Sequence, residues 1–242
     1  MDFLYKIYID LLDLLKEKGY HFCGYKNHEN FKRCVILRHD VDFSLEKALQ
    51  FAKIENENNV KSTYFVLLST NFYNVFSKES GDILKEIQNL GHDIGLHFDE
   101  KKYEITNIDT LQYYILKESK VLEEAIENKI ESVSMHRPSK WILDNDIKLD
   151  GIINSYSNYF FKEFKYLSDS RMFWREKVLE IVEKANYDKL HILTHPFWYD
   201  NHKETTKEKL FDFVLNAKAE RFNNIKNNFR EIETVLKEEE LV

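Results

Sequence analysis

The chain has 242 residues, a net charge of −7 at pH 7, 43% hydrophobic residues and 14% aromatic residues. This apolar content argues against a disordered chain, and a single α/β domain is commonly of this length. The acidic balance gives no electrostatic footprint for nucleic acid, and no long run of Lys or Arg is present. We therefore expect a globular protein that does not bind nucleic acid.

The first apolar segment, roughly residues 3–16, is predicted to be a helix rather than a secretion signal. Charged residues interrupt it, and no small-residue cleavage site follows it. No stretch approaches the ~20 apolar residues of a membrane span. We therefore expect a cytoplasmic protein in which Cys23 and Cys34 remain free thiols, although the two could in principle pair.

Short apolar runs alternate with helical stretches over the rest of the chain. The predicted strands are residues 35–38, 62–68, 93–97, 131–136, 151–156, 166–169 and 190–194. A predicted helix follows an N-cap at Ser44. Further predicted helices cover residues 82–90, 109–128, 177–185 and 207 to about 239, and Gly91 ends the first of these. This alternation predicts a parallel sheet with right-handed crossovers. We expect a distorted (β/α) barrel of about seven strands, although an open doubly wound sheet gives the same pattern.

The final predicted helix carries apolar residues three or four positions apart, which form a single stripe. They are Phe222, Ile225, Phe229, Ile232 and Val235. We expect this stripe to pack on the barrel, so that residues 1–242 form one domain. A dimerisation helix, and therefore a homodimer, is the alternative.

Four histidine-containing motifs stand where predicted strands end. They are RHDVD at 38–42, GHDIGLH at 91–97, MHRP at 135–138 and LTHP at 193–196. The carboxyl ends of parallel strands meet at one rim of a barrel, so residues far apart in sequence can build one site there. The recurrence predicts a metal-dependent hydrolase more strongly than any one of the motifs does.

Asp40 and Asp42 project on the same side of the chain if it is extended there. One carboxylate can then bind a divalent metal while the other accepts a proton from an attacking water, as hydrolysis at neutral pH requires. A helix-capping acid at a strand end is the alternative. His39 points the other way and is predicted to be a packing or supporting residue.

His97 ends the second motif with an imidazole that is free to bind a metal. Asp99 could be a further ligand or could orient His97. Gly95 allows a close backbone approach. His92 lies at the start of the same strand, at the wrong end for the site, and is therefore predicted to be structural.

Arg137 and His195 end two further predicted strands. An arginine at such a position can hold a catalytic aspartate ionised through a bidentate pair. An imidazole at the last strand end could protonate a leaving amine.

The order HDVD, STYF at 62–65, GHDIGLH, HRP and LTH resembles the polysaccharide deacetylase family, the NodB-type carbohydrate esterases, from about residue 35 to 196. The resemblance implies a distorted (β/α) barrel and metal-dependent removal of an N- or O-acyl group from a sugar. It also implies the following roles: Asp40 as the catalytic base, Asp42 and His97 as metal ligands, Arg137 as the arginine that holds the base, His195 as the general acid, and Asp169 as the residue that orients this acid.

One position departs from the family pattern. The family usually has a second ligand histidine four residues after the first, and Lys101 stands there in this chain. We favour His136 as the third ligand, because Zn²⁺ sites commonly use three N or O side chains and a water. Asp99, a water or a lost metal site are the alternatives. HDVD also has spaced aspartates, as in some branches of the family, in place of adjacent ones. The chain therefore resembles a divergent branch, nearer the intracellular enzymes of surface-glycan biosynthesis than the secreted deacetylases.

Several aromatic residues near these motifs could stack on sugar rings. They are Trp141, Phe173, Trp174, Phe197, Trp198 and Tyr199, and at least half should be ordinary core residues. From the motifs and the resemblance together, we expect a deacylase that acts on an N-acylated sugar and depends on a divalent metal, for which we favour Zn²⁺. The alternative is a carbohydrate-binding pseudoenzyme whose metal site has decayed at Lys101.

Overall fold

Short parallel strands alternate with helices in the computed structural model, which describes residues 1–241. The strands are β1 (His21–Phe22), β2 (Cys34–Val41), β3 (Thr63–Leu67), β4 (Asp93–Phe98), β5 (Ser132–Met135), β6 (Ile153–Asn154), β7 (Lys165–Ser168) and β8 (Lys189–Thr194). The helices are α1 (Tyr5–Glu17), α2 (Leu45–Glu57), α3 (Lys78–Asn89), α4 (Ile108–Ile126), α5 (Lys140–Asp144), α6 (Asn158–Lys162), α7 (Val178–Lys184) and α8 (Thr206–Asn228). The predicted elements are present, and β1, α5 and α6 are additional.

The strands form one sheet in the order β6-β5-β4-β3-β2-β8-β7, with β1 beside the start of β2. Every pairing between neighbouring strands is parallel. Within residues 1–241, β6 pairs only with β5 and β7 only with β8. The sheet is therefore a curled half-barrel that stays open between β6 and β7, which confirms the predicted distorted (β/α) barrel with seven strands along its path.

Strand β2 lies at the centre of the sheet, and all eight of its residues are buried. Burial on both faces is typical of a central parallel strand, but Arg38, His39 and Asp40 are polar. The strand was predicted to end at Arg38 and continues instead to Val41. It can do so because each of the three polar side chains finds buried partners.

Local sequence signals set the ends of several elements. The Ser44 side chain accepts a hydrogen bond from the backbone N–H of Lys47 and caps α2, as predicted. Gly91 adopts a φ of 91° just after α3, a conformation that favours glycine. At Gly95, a Cβ atom would lie 2.5 Å from Cε1 of Phe65, so the predicted close approach is confirmed.

The chain divides into two compact units, Met1–Tyr199 and Asp200–Val242. The first unit contains all eight strands. In the second, Thr205 and Glu208 form a capping box at the start of α8, which ends at Asn228 rather than near 239. The prediction of a helix to 239 is therefore wrong. Asparagine pairs at 223–224 and 227–228 lower the helix propensity there.

The predicted apolar stripe of the last helix is buried at only some positions. Phe222 and Ile232 are buried, whereas Ile225, Phe229 and Val235 are exposed. Packing of this segment on the barrel, a single domain over 1–242 and a homodimer all stay predictions.

Two further expectations concern the cysteines and the membrane. Cys23 and Cys34 are both buried and free, as predicted. None of the helices within residues 1–241 combines the length and the apolar character needed to cross a membrane.

Candidate active site

Asp42, His97 and His136 lie together at the C-terminal ends of β2, β4 and β5. His97 Nε2 and His136 Nδ1 are each 3.2 Å from Asp42 Oδ1, and the two nitrogens are 3.2 Å apart. Ligand atoms about 2.0–2.1 Å from a tetrahedral Zn²⁺ lie about 3.3 to 3.4 Å from one another. The nearly equilateral triangle of these three atoms, the ligand triangle, therefore fits a divalent metal.

The Asp42 carboxylate gives a second reason to place a metal there. Within residues 1–241 its buried Oδ1 accepts no hydrogen bond of good geometry, although two ring nitrogens lie close by. A buried polar atom without a partner is costly, and a cation would satisfy it. Burial raises the pKa of Asp42, but its contacts with His136 and His97 hold that pKa well below the ordinary value. The carboxylate is thus ionised, as a metal ligand must be.

Ser134 orients the ring of His97. The two residues are direct neighbours across β4 and β5, and His97 Nδ1 lies 3.3 Å from the Ser134 carbonyl oxygen. A carbonyl only accepts, so Nδ1 carries the proton and Nε2 offers its lone pair to the ligand triangle. Ser134 Oγ lies 3.2 Å from the same Nδ1.

Asp99 lies outside the ligand triangle. Its side chain accepts hydrogen bonds from the Lys101 backbone N–H and from the Arg137 guanidinium. Lys101 itself is exposed. His136 and Asp99 were the two side chains considered as the third ligand. The structure groups His136 with Asp42 and His97, whereas Asp99 pairs with the guanidinium of Arg137.

Asp40 lies beside the ligand triangle and is held by Arg38. Arg38 Nε donates to Asp40 Oδ1 at 2.9 Å, and Nη2 donates to Oδ2 at 2.7 Å. Burial raises the pKa of Asp40, but Arg38, and then His97, bring that pKa below the ordinary value. Asp40 Oδ2 is 3.6 Å from His97 Nε2, so an ionised proton acceptor lies next to one proposed ligand.

The predicted contact between Arg137 and Asp40 is wrong. Arg137 donates to Asp99 instead, and its side chain is 53% exposed. Strand β5 ends at Met135, so Arg137 lies on the rim, whereas Arg38 and Asp40 share the inner face of β2. Arg38 was not predicted as a site residue, although the two-residue spacing that relates Asp40 to Asp42 applies to it as well.

His195 and Asp169 form a pair at the ends of the neighbouring strands β8 and β7. His195 Nδ1 is 2.6 Å from Asp169 Oδ1, and the His195 backbone N–H donates to Oδ2 at 3.0 Å. Burial lowers the pKa of His195, but the charge of Asp169 and its hydrogen bond outweigh burial and raise it to about 9. Because Asp169 engages Nδ1, Nε2 faces the site, 3.9 Å from Asp42 Oδ2.

Most aromatic residues near the motifs belong to the core, as expected. Trp174, Phe197, Trp198 and Tyr199 are buried, whereas Trp141 and Phe173 are exposed. Phe43, which follows Asp42 directly, was not among the predicted aromatic residues. Its ring lies 5.2 Å from that of Phe72 and 4.6 Å from that of Phe197, between centroids. Phe72 is 49% exposed, so the residue that follows Asp42 belongs to a partly exposed aromatic cluster.

Comparison with known proteins finds similarity only to solved structures. No protein-family model matches the chain, and neither does any curated protein. A CE4 family pseudoenzyme from Bacillus anthracis shares 19% identity, with a TM-score of 0.44 and coverage of 80% of this chain and 63% of its own. A family 4 carbohydrate esterase from Bacillus anthracis shares 14% identity, with a TM-score of 0.43 and coverage of 90% and 86%.

A third similar structure is a family 4 acetyl xylan esterase from Clostridium thermocellum in complex with a cobalt ion. It shares 14% identity, with a TM-score of 0.41 and coverage of 77% of this chain and 84% of its own. Of the pseudoenzyme described above, the chain spans less than two thirds of the length. These three solved structures are of family 4 carbohydrate esterases, the polysaccharide deacetylases.

Proposed function

We propose that the protein is a metal-dependent hydrolase that removes an acyl group, in our interpretation N-acetyl, from a sugar during the intracellular assembly of a surface glycan. One observation carries the proposal. Asp40 Oδ2 lies 3.6 Å from Nε2 of the proposed ligand His97, and His195 Nε2 lies 3.9 Å from Oδ2 of the proposed ligand Asp42. A proton acceptor and a proton donor thus flank one metal-binding position, as amide hydrolysis requires.

Asp42, His97 and His136 would hold the metal, for which Zn²⁺ is our choice because two of the three ligands are imidazoles. A bound divalent metal polarises the acyl carbonyl and makes a water more acidic. The three side chains are partly or fully buried, which limits the water that competes for these ligand positions.

Asp40 accepts a proton from the water that attacks the acyl carbon. Arg38 occupies both of its oxygens, keeps it ionised and fixes its direction toward the ligand triangle. Ser134 lies between these groups, because its hydroxyl accepts from Arg38 and also lies near His97.

His195 supplies the second proton. Its Nε2 donates to the sugar nitrogen as the bond between carbon and nitrogen breaks, so the products are a free amine and a carboxylic acid. Asp169 holds the ring through Nδ1 and keeps it protonated at neutral pH. The same arrangement serves an ester, whose alkoxide is a better leaving group than an unprotonated amide nitrogen and therefore depends less on the proton from His195.

The sugar would lie against the rim of the barrel. The ring of Phe43, next to Asp42, and the half-exposed Phe72 offer apolar faces on which a pyranose ring can stack. The cytoplasmic location and the place in glycan assembly follow from the motif resemblance to intracellular enzymes and are part of this proposal.

Metal analysis of the purified protein, together with deacetylation of N-acetylated sugars, tests the proposal. We expect about one zinc per chain. Asp42→Ala, His97→Ala and His136→Ala should each lower zinc affinity by at least ~10-fold, and Asp99→Ala, the matched control, should retain it. A protein without metal that still binds sugar would support the carbohydrate-binding pseudoenzyme instead. Loss of zinc from Asp99→Ala but not from His136→Ala would reject our third ligand.

A further inference from the structure

The motifs contain polar residues that the site does not use. Five of them are His39 of HDVD, Ser62 and Tyr64 of STYF, His92 of GHDIGLH and Thr194 of LTH. All five are buried. They lie in or next to β2, β3, β4 and β8, and three of these strands, β2, β4 and β8, also carry or precede residues of the site.

These residues converge on one buried carboxylate, that of Glu55 on α2, which is 0% exposed. Tyr64 and Ser62 donate to its Oε2 at 2.7 and 2.6 Å. Tyr8 of α1 donates to Oε1 at 2.6 Å, and His39 Nε2 lies 2.9 Å from the same oxygen. A carboxylate accepts hydrogen bonds at both oxygens. The Glu55 carboxylate therefore satisfies four donors, which come from α1, β2, β3 and the residue before β3.

The cluster continues through His39 to the neighbouring strand. His39 donates to Glu55 through Nε2, so its Nδ1, 2.6 Å from Thr194 Oγ1, can accept from that hydroxyl. His39 and Thr194 are direct partners in the β2–β8 register. His92, at the start of β4, has Nδ1 3.0 Å from Ser62 Oγ, and its Nε2 donates to the Ala52 carbonyl of α2.

The contact between His39 and Thr194 joins two residues that each stand one position before a group used in the proposed chemistry. His39 precedes Asp40, and Thr194 precedes His195. Successive side chains of a strand point to opposite faces, so fixing one residue on the outer face fixes the direction of the next on the inner face. Near-attack geometry tolerates little displacement, and a shift of about 1 Å can cost 10²-fold in rate.

We propose that Glu55 is a positioning residue: with His39 and Thr194 it fixes β2 against β8 from outside the barrel, and so sets the distance from Asp40 and Asp42 to His195. Burial raises the pKa of Glu55, but His39, followed by His92 and Ser62, brings that pKa down to about 2, so the carboxylate is ionised throughout the physiological range. A buried ion is a poor way to gain stability compared with apolar packing, whereas it imposes a definite geometry.

The test compares Glu55→Gln with Glu118→Gln. Glu118 is a buried glutamate on α4 that accepts from Lys102 and Tyr103 and contacts no strand through those bonds, so it is a matched control. In Glu55→Gln the amide nitrogen faces donors, and β2 should shift. At a temperature where both variants are fully folded, we expect zinc affinity and kcat of Glu55→Gln to fall by ~10-fold or more, with KM nearly unchanged. Glu118→Gln should lower only the melting temperature.

A milder variant covers the case in which Glu55→Gln does not fold. Thr194→Val keeps the volume and removes only the hydroxyl that meets His39, and we expect it to lower kcat by several-fold. The nitrogen and ring-proton NMR signals of His195 should also move in both variants, even in metal-free protein without substrate. The positioning role can therefore be tested even if the proposed deacylation is wrong. A lower melting temperature with wild-type His195 signals, zinc affinity and kcat would reject it.

Discussion

Arg38 and Asp40 stand two residues apart on β2 and form a bidentate ion pair inside the barrel, with both side chains almost fully buried. The pair belongs to a single strand, so its geometry depends on the pleat of β2 rather than on a distant loop. The proposed base therefore has its partner in place wherever β2 is formed.

Arg38→Lys keeps the charge but loses the two parallel hydrogen bonds, which a lysine cannot make. We expect kcat to fall by ~10-fold or more, because Asp40 is held less firmly. Arg137→Lys is the matched control and should retain kcat within about threefold, since its partner is Asp99. Steady-state kinetics on both variants decides the point. The opposite ranking would restore the role that the sequence suggested for Arg137.

Asp40→Asn preserves the shape of the base and removes its ability to accept a proton. Turnover should fall by ~10²-fold or more, while bound zinc, measured by elemental analysis, stays at the wild-type ratio. Asp93→Asn, at the start of β4 and at the other end of the barrel, should leave both quantities unchanged. Near-normal turnover of Asp40→Asn would remove Asp40 from the mechanism.

The pH profile should report the pair of His195 and Asp169. His195 acts in its protonated form, and its pKa is raised to about 9, so activity should persist above the ordinary imidazole value of ~6.5 and fall as the pH approaches 9. A bound cation next to Asp42 lowers this limit somewhat, because Asp42 contributes to the raised value. Asp169→Asn removes the main raising cause, so the alkaline limb should move down by about one pH unit or more. An unmoved limb would show that another group controls it.

His195→Ala should distinguish a general acid from a packing residue. An amine needs a proton to leave, whereas an activated ester does not, so we expect the variant to lose far more activity on an N-acetyl sugar than on an activated acetyl ester. Both substrates are assayed on one preparation, with wild-type protein alongside. Equal losses on the two, together with a lower melting temperature, would assign His195 to packing.

Gly95→Ala should destabilise the fold. The new methyl group would lie 2.5 Å from the ring of Phe65, which is fully buried and packs against Arg38 with 5.4 Å between the ring centroid and Cζ. We expect a loss of about 1–3 kcal/mol in the free energy of unfolding, measured by denaturant titration. Gly81→Ala within α3 meets no atom within 4 Å and should be neutral or stabilising. Equal stability of the two variants would contradict the packing at Gly95.

The sequence predicted the barrel and most of its elements, because parallel strands and amphipathic helices leave regular patterns. It also identified Asp42, His97 and His136, which the structure places within 3.2 Å of one another. Their spatial proximity follows from a topological rule, that parallel strands end at one rim.

The errors arose where side-chain direction or a helix end depended on details that patterns do not record. Arg137 was assigned by its place in a motif, but β5 stops at Met135 and the next residues turn along the rim. The stripe that continues to Val235 predicted a long helix, but α8 ends at Asn228 amid residues of low helix propensity. The hydrogen bond between His39 and Glu55 could not be predicted either, because Glu55 lies on a helix whose rotation about its axis is set by packing.

The proposed metal ligands and the proposed proton donor come from different parts of the chain. The three proposed ligands follow or belong to β2, β4 and β5, whereas Asp169 and His195 follow β7 and β8, and β8 must return to pair with β2. During synthesis from the N-terminus, the residues that would hold the metal emerge first and the proton donor emerges last. The early strands pair mainly with their neighbours in sequence, while the β2–β8 pairing closes a loop of more than a hundred residues. A nascent chain can therefore assemble the ligands while it still lacks the donor, and the β2–β8 pairing completes the site.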